Sequence, residues 1–141
     1  MKKILALMLI LLVFVAACGK SEIKKPTADS LLATEAFVLA EKVRGAYVAR
    51  DMSALQANTT PEGYKAITES MKLFDSATLE FNPLLFDIRE GKMTLFVSWT
   101  GVWKKRGQTF DERGLVVFGL KGRPLKVDTV QRASPFRYPE D

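Results

Sequence analysis

The sequence predicts a domain of the α+β class, in which N-terminal helices pack on a curved, four-stranded antiparallel sheet. Two observations lead to this prediction. Between residues 28 and 74, apolar residues recur at steps of three and four, which is typical of amphipathic helices. Between residues 77 and 132, they alternate with polar residues in long stretches separated by short turns, which is typical of antiparallel strands. Helices that precede strands in this way favour an α+β arrangement.

The first predicted helix spans residues 28–50. Thr27, Asp29 or Ser30 can cap its start, because a short polar side chain can accept a hydrogen bond from the first turn. Its apolar stripe consists of Leu32, Ala36, Leu39, Ala40, Val43, Ala46 and Tyr47. The stripe predicts that one face of this helix is buried against the sheet.

Two shorter helices are predicted to follow. Residues 51–58 form one, with Asp51 or Ser53 at its start. The run Thr60-Pro61-Glu62 predicts the start of the other, because threonine caps a helix and proline suits its first position. This third helix is predicted to end near residue 74. Its expected buried residues are Tyr64, Ile67, Met71 and Phe74.

Four strands are predicted over residues 77–89, 93–104, 109–120 and 125–132. Pro83 cannot donate a hydrogen bond to a ladder, so the first strand is expected to lie at an edge or to contain a bulge. Long strands need curvature, which Gly101, Gly114 and Gly119 can supply. Residues 133–141 are predicted to be a C-terminal tail without regular structure.

A different kind of segment precedes the domain. Lys2 and Lys3 are followed by 14 apolar residues, 4–17, and small residues lie just before Cys18. A basic start, an apolar run and small residues before a cleavage point are the marks of a secretory signal. The run is shorter than the roughly 18 residues expected of a transmembrane helix. An ordinary cleaved signal followed by an incidental cysteine is an alternative for the same residues.

The run Val15-Ala16-Ala17-Cys18 resembles the lipobox of bacterial lipoproteins, in which the signal is removed and the cysteine carries lipid. The resemblance implies a signal peptide over residues 1–17, a lipidated Cys18 and a tether over residues 18–29. Gly19 follows the cysteine where lipoproteins of the inner membrane often carry aspartate. The resemblance therefore implies an outer-membrane protein that faces the periplasm, with the membrane as a partner through the lipid anchor.

The residue inventory excludes several kinds of chemistry. The chain has no histidine, and Cys18 is its only cysteine. Zinc sites of the usual Cys/His kind, Ser-His-Asp and Cys-His catalysis, and an intrachain disulfide are therefore excluded. We find no phosphate-binding loop and no dinucleotide-binding motif. We expect no metal and no cofactor.

Part of the positive charge belongs to the signal. The chain has 21 basic and 16 acidic side chains, a formal net charge of +5. Removing Lys2 and Lys3 leaves 19 basic side chains and a net charge of +3. The envelope location that the signal implies argues against a nucleic-acid partner. The basic turn at residues 104–106 and the pair Lys121/Arg123 can meet anionic envelope polymers or simply face water.

The domain resembles the NTF2-like, or SnoaL-like, superfamily over residues 30–132. Tyr47-Val-Ala-Arg-Asp-Met-Ser-Ala-Leu55 is similar to the corner between the first two helices of that family. Trp99-x-Gly-x-Trp103 and Gly114-Leu-Val-Val-Phe118 are similar to its late strands. The resemblance implies a cone with a pocket between helices and sheet, and dimerisation through the sheet. The linker at residues 58–61 leaves no room for the strand that family members often have there.

Few residues suit chemistry in such a pocket. Glu112 and Asp87 are the candidate bases, because burial raises the pKa of a carboxyl group towards neutrality. The candidate lining for a small apolar ligand is Tyr47, Tyr64, Trp99 and Trp103. The alternative is that the tryptophans are core residues and that Glu112 faces water or pairs with a neighbouring cation.

Three functions are therefore compatible with the sequence. The favoured one is a lipid-anchored envelope protein whose domain binds a ligand or an envelope partner without catalysis, because no catalytic constellation accompanies the anchor signal. One alternative is a small enzyme of the isomerase or cyclase type. The other is a structural lipoprotein that self-associates through its sheet.

Overall fold

The structure is a computed structural model that describes residues 23–140. The predicted signal and Cys18 lie outside this range. Three helices are packed against a curved four-stranded antiparallel sheet, so the predicted α+β class is confirmed. Over residues 23–140, no helix has the length and apolar character needed to cross a membrane.

The helices are α1 (Ala28–Ala49), α2 (Met52–Ala57) and α3 (Pro61–Ser70). They are capped by Thr27, Asp51 and Thr60, whose side chains each accept a hydrogen bond from a backbone N–H in the first turn. Pro61 is the first residue of α3, as its start signal predicts. These helix starts are set by local hydrogen bonds.

Helix α3 ends before the predicted position at residue 74. Met71 has an extended backbone (φ −60°, ψ 138°), and residues 71–75 form an irregular segment that leads to the first strand. The Arg50 guanidinium donates hydrogen bonds to the carbonyl oxygens of Phe74 (2.8 Å) and Asp75 (3.4 Å). Phe74 is buried, but outside the helix. The apolar spacing of residues 71–74 resembles that of a helix. Arg50, which is distant in sequence, nevertheless holds this segment in an irregular conformation.

The strands are β1 (Ser76–Arg89), β2 (Lys92–Lys105), β3 (Gln108–Lys121) and β4 (Lys126–Arg132), and they lie in that order across the sheet. Strand β1 is at an edge, and its register shifts between Pro83 and Leu85. Both expectations for Pro83 are therefore met. The turns at Glu90-Gly91 and Arg106-Gly107 have positive φ at both residues, which suits tight hairpins.

The inner face of the sheet and the helices enclose the core. Register pairs Trp99 of β2 with Gly114 of β3. A Cβ atom at Gly114 would lie 2.8 Å from the Trp99 ring, and one at Gly101 would lie 2.3 Å from the Trp103 ring. These glycines therefore make room for the indole rings on the inner face.

The linker between α2 and α3 is joined to β4. The Thr60 N–H donates to the Val127 carbonyl oxygen (2.9 Å), and the Val127 N–H donates to that of Asn58 (3.1 Å). Helix α3 approaches so closely that a Cβ atom at Gly63 would lie 2.1 Å from the Val127 carbonyl oxygen. A single parallel bridge between Thr59 and Val127 also joins this linker to β4.

The C-terminal segment packs into the core, which corrects the prediction of an irregular tail over residues 133–141. Pro135–Arg137 form one turn of 3-10 helix, and Phe136 is fully buried. The ring of Tyr138 packs against the tryptophans of β2. The prolines of this segment suggested a loop, but its two aromatic side chains supply apolar surface that is buried on the sheet.

Candidate functional site

The predicted pocket residues Tyr47, Trp99 and Trp103 come together in a filled interior. Tyr47 and Trp103 are 0 % exposed, and Trp99 is 2 % exposed. The Tyr47 hydroxyl accepts a hydrogen bond from Trp103 Nε1 (2.9 Å) and donates one to the Tyr138 carbonyl oxygen (3.2 Å). Trp99 Nε1 donates to the Ala133 carbonyl oxygen (2.8 Å). The chain itself therefore occupies both indole donors.

Phe136 and Tyr138 fill the space in which a ligand was expected. The Phe136 ring centroid lies 5.1 Å from that of Tyr47 and 6.2 Å from that of Phe118. The Tyr138 centroid lies 5.5 Å and 5.4 Å from those of Trp99 and Trp103. Within residues 23–140, every buried polar side-chain atom has a hydrogen-bond partner. No unpartnered polar group in that range is therefore available to orient a ligand inside the core.

Burial raises the pKa of Tyr47 to about 12, although the hydrogen bond from Trp103 acts in the opposite direction. A hydroxyl with this pKa keeps its proton at neutral pH and remains a hydrogen-bond donor to the C-terminal segment. A group that gives up a proton during turnover near neutral pH needs a much lower pKa. The geometry and the pKa both favour a structural role for Tyr47.

We expect the free energy of unfolding to decrease as the pH rises from about 10 to about 12. The unfolded tyrosine ionises near pH 10 and the folded one near pH 12, so ionisation in this window favours the unfolded state. The contribution of Tyr47 is fully present below pH 10 and is lost by about pH 12, up to about 2.7 kcal/mol. Denaturant unfolding across this range measures it. Tyr47→Phe should flatten the profile, and an unchanged slope would contradict this assignment.

The two candidate catalytic carboxylates lie far apart. Asp87 is paired with Thr94 and Glu112 with Gly101, which places them seven residues apart along β2, or about 23 Å, and on opposite faces of the sheet. Asp87 Oδ2 forms an ion pair with Arg89 Nε (2.8 Å). Glu112 is exposed. Neither carboxylate is therefore buried among apolar side chains, as the enzyme hypothesis requires.

Tyr64 of α3, the fourth predicted pocket residue, is half-buried and packs at the margin of the core. The structure does not bring it into contact with Glu112 or Asp87 through any described hydrogen bond. The set of residues predicted from the sequence is therefore divided between a packed core and two separate surfaces.

A different carboxylate is buried and joins α3 to the sheet. Asp128 accepts a hydrogen bond from Thr60 Oγ1 (2.8 Å) and forms an ion pair with Lys121 Nζ (2.7 Å). The hydrogen bond from Lys121, supported by Thr60, holds the pKa of Asp128 below its usual value, although burial acts in the opposite direction. Thr60 Oγ1 also accepts from the Gly63 N–H (3.1 Å) as the cap of α3. The burial of Asp128 is therefore explained by its structural role in joining α3 to the sheet.

The outer face of the sheet, opposite the core, has an apolar row of its own. Register places Leu85, Phe96 and Val117 side by side on β1, β2 and β3. These residues alternate with the inward-facing ones and do not belong to the core cluster. Leu85 is exposed, Phe96 is half-buried, and Val117 is buried beneath its neighbours on the sheet. We call Leu85, Phe96 and Val117 the outer-face row. None of the helices of residues 23–140 packs on it.

An open trough lies on the same face around Thr100 of β2, four residues along the strand from Phe96. Its volume is about 520 Å³, and a neighbouring depression of about 430 Å³ shares part of its lining. The polar lining includes Thr78, Glu80, Thr100, Asp111 and Arg113. In the described range, no group of three or more side chains is suited to hold a metal ion. An apolar row with a polar margin has the composition of a protein-binding surface.

Sequence reasoning missed the most important residues of the interior, Phe136 and Tyr138. A signal for them is present, because two aromatic residues within four positions are unusual for a solvated tail. Their ring partners, however, are at least 18 residues earlier in the chain. No local pattern connects them.

What we propose for the function of this chain is inferred from its own residues and fold. The lipobox resemblance depends on residues 15–18, and the NTF2-like resemblance on residues 30–132. The chain matches no family model, no curated protein and no solved structure.

Proposed function

We propose that this chain is a lipid-anchored protein of the bacterial envelope and that its domain is a non-catalytic binding module. Val15-Ala16-Ala17-Cys18 supports the lipid anchor, and Gly19 supports delivery to the outer membrane. The observation that carries the proposal for the domain is the contrast between its two faces. The inner face is filled by the chain's own C-terminal segment, whereas the outer face has an apolar row that no described helix covers.

An isomerase or cyclase has less support. The candidate bases Glu112 and Asp87 lie on opposite faces of the sheet, and Tyr47 is hydrogen-bonded within the core. A substrate would have to displace Phe136 and Tyr138 before it could contact the tryptophans. Binding of a small apolar ligand between helices and sheet meets the same obstacle.

The partner we assign to the outer face is a second copy of this chain. Three strands of 14 residues, spaced by about 4.8 Å, present a face of roughly 650 Å². A standard protein interface buries about 800 Å² per partner, so the face is close to the size that a dimer needs. The outer-face row would form the apolar centre and the trough part of the polar rim.

We expect Leu85→Glu to dissociate the dimer, because it places a charge at the apolar centre of the interface. Leu85 is 53 % exposed in the single chain, so the substitution is expected to leave the fold intact. Val38→Glu is the matched control, because Val38 is 50 % exposed on α1, away from the sheet. Native mass spectrometry of the full chain released from detergent measures the oligomeric state.

The wild-type chain and Val38→Glu are expected to be dimeric, and the dissociation constant of Leu85→Glu should rise at least about tenfold. A monomeric wild-type chain would exclude a second copy as the partner. A dimer that is unaffected by Leu85→Glu would exclude the outer face as its interface.

A further inference from the structure

A basic surface lies at the end of the domain that is farthest from the tether. Helix α1 has 22 residues and spans about 33 Å, and the tether enters at its N-terminal end. The cations at the opposite end are Arg50, Lys72, Lys104, Lys105 and Arg106. We call these five residues the distal basic surface. A depression of about 640 Å³ lies among them.

Three segments that are distant in sequence build this surface: the end of α1, residues 71–75 and the turn between β2 and β3. The Asp75 N–H donates to the Lys104 carbonyl oxygen (2.7 Å), and Asp75 Oδ2 accepts from the Arg106 N–H (2.8 Å). Asp75 is also the one carboxylate in the lining of the depression. The lining has four basic side chains, Arg50, Lys72, Lys105 and Arg106, and this one carboxylate, so it keeps an excess of positive charge.

Arg50 holds part of this surface in place. Its guanidinium lies 5.2 Å from the centroid of the Phe74 ring and donates to the carbonyl oxygens of Phe74 and Asp75. These contacts fix the irregular segment at residues 71–75. They also position the side chain of Leu73, which lies between Lys72 and Phe74 in the chain.

Leu73 has no packing role in the fold. Its exposure is 84 %, although large apolar side chains in this range are mostly buried. An exposed leucine within a group of cations is typical of surfaces that dock on membranes. The apolar side chain enters the boundary between headgroups and acyl chains, and the cations meet lipid phosphates.

We propose that the distal basic surface docks on an anionic phospholipid membrane, with Leu73 as the inserted side chain. Charge complementarity favours an anionic partner, and the exposed leucine favours a lipid surface over a soluble polyanion. Residues 19–27 can extend to about 30 Å, close to the length of α1, so the tether allows the distal end of the domain to reach the membrane that holds the anchor. The proposal goes beyond the outer-face dimer, because it uses a different surface.

The test uses the full chain with Leu73→Cys, labelled with an environment-sensitive dye. Cys18 is the only natural cysteine and is expected to be acylated, so the introduced thiol is the labelling site. The wild-type chain treated in the same way reports any labelling of Cys18. The protein is reconstituted in vesicles of phosphatidylcholine, with or without phosphatidylglycerol. We expect blue-shifted emission only with phosphatidylglycerol, and less shift at high salt.

Two controls separate docking from a general charge effect. Val38→Cys, labelled in the same way, should not respond to phosphatidylglycerol, because Val38 lies about 18 Å along α1 from Arg50, outside the distal basic surface. Adding Lys72→Glu and Arg106→Glu to Leu73→Cys should weaken the response at least about tenfold. Adding Lys42→Glu and Lys65→Glu changes the net charge equally at exposed positions outside the surface and should leave the response unchanged.

Equal emission in the two kinds of vesicle would overturn the proposal, as would an equal response from Val38→Cys. Binding of soluble glycerol phosphate at constant ionic strength, without any response to vesicles, would indicate a site for a free phosphate group. Binding of soluble polyphosphate without any response to vesicles would assign the surface to a soluble polymer. Either result would exclude the membrane as the ligand.

Discussion

Replacing Phe136 with alanine is expected to lower the free energy of unfolding by about 3–5 kcal/mol, the range typical of a fully buried phenylalanine. The ring is 0 % exposed and packs against Tyr47 and Phe118, so its removal leaves a cavity that the surrounding side chains fill only in part. Denaturant unfolding of the full chain, followed by the fluorescence of Trp99 and Trp103, measures the change.

The neighbouring Arg137 provides the control. Its side chain is exposed and pairs only with Glu140 and the Tyr138 ring, so Arg137→Ala is expected to change the stability by no more than about 0.5 kcal/mol. A loss below 1 kcal/mol for Phe136→Ala would mean that the C-terminal segment is not part of the core. The inner face would then be open to a ligand, and the case for a binding module that uses the outer face would weaken.

Replacing Cys18 with serine is expected to abolish lipid labelling of the chain, because the lipobox resemblance implies a thioether on Cys18 and serine has no sulfur. Each buried CH₂ group of an acyl chain contributes about 0.8 kcal/mol, so two or three chains on Cys18 would hold the mature protein at a membrane. Metabolic labelling with a clickable fatty acid measures the loss of lipid. Ser21→Ala is the control, because it changes a nearby residue and leaves Cys18 in place.

Absence of label on the wild-type chain would contradict the anchor, and so would label that persists in Cys18→Ser. Neither result would change the expectation for Phe136→Ala, because the core lies within residues 23–140 and makes no use of Cys18. The anchor and the fold of the domain are therefore tested independently.

The proposed surfaces lie on different parts of one domain. The tether enters at the N-terminal end of α1, the distal basic surface lies near its C-terminal end, and the outer-face row is on the side of the sheet opposite the core. A dimer formed through the outer face would leave both ends of α1 uncovered. Lipid anchoring, self-association and membrane docking are therefore compatible.

Elements whose boundaries depend on neighbouring residues were predictable. Thr27 and Thr60 cap their helices as predicted, because the bonds that define a cap join residues three positions apart. The strand ends lie within one residue of the predicted ones, since hairpin turns such as Arg106-Gly107 interrupt the alternation locally. The edge position of β1 followed from the missing donor of Pro83.

Elements that depend on distant residues were not predictable. The end of α3 is set by Arg50, which binds the carbonyl oxygens of Phe74 and Asp75 more than 20 residues later. The separation of Glu112 from Asp87 follows from the register of three strands, which no single strand reveals. The sequence left open whether Trp99 and Trp103 line a pocket or belong to the core, because the side chains that pack against them, such as Tyr138, are distant in the chain.

By itself, the sequence determined the helix starts, the order of the strands, the α+β class and the expected chemistry of Cys18. The tertiary structure alone decided that Phe136 and Tyr138 fill the inner face and that Leu85, Phe96 and Val117 form a row on the outer face. The physical reason is the range of the interactions. Caps, turns and alternation act between residues a few positions apart. A packed interior forms only when Tyr47, Trp99, Trp103 and the C-terminal segment are brought together by the fold.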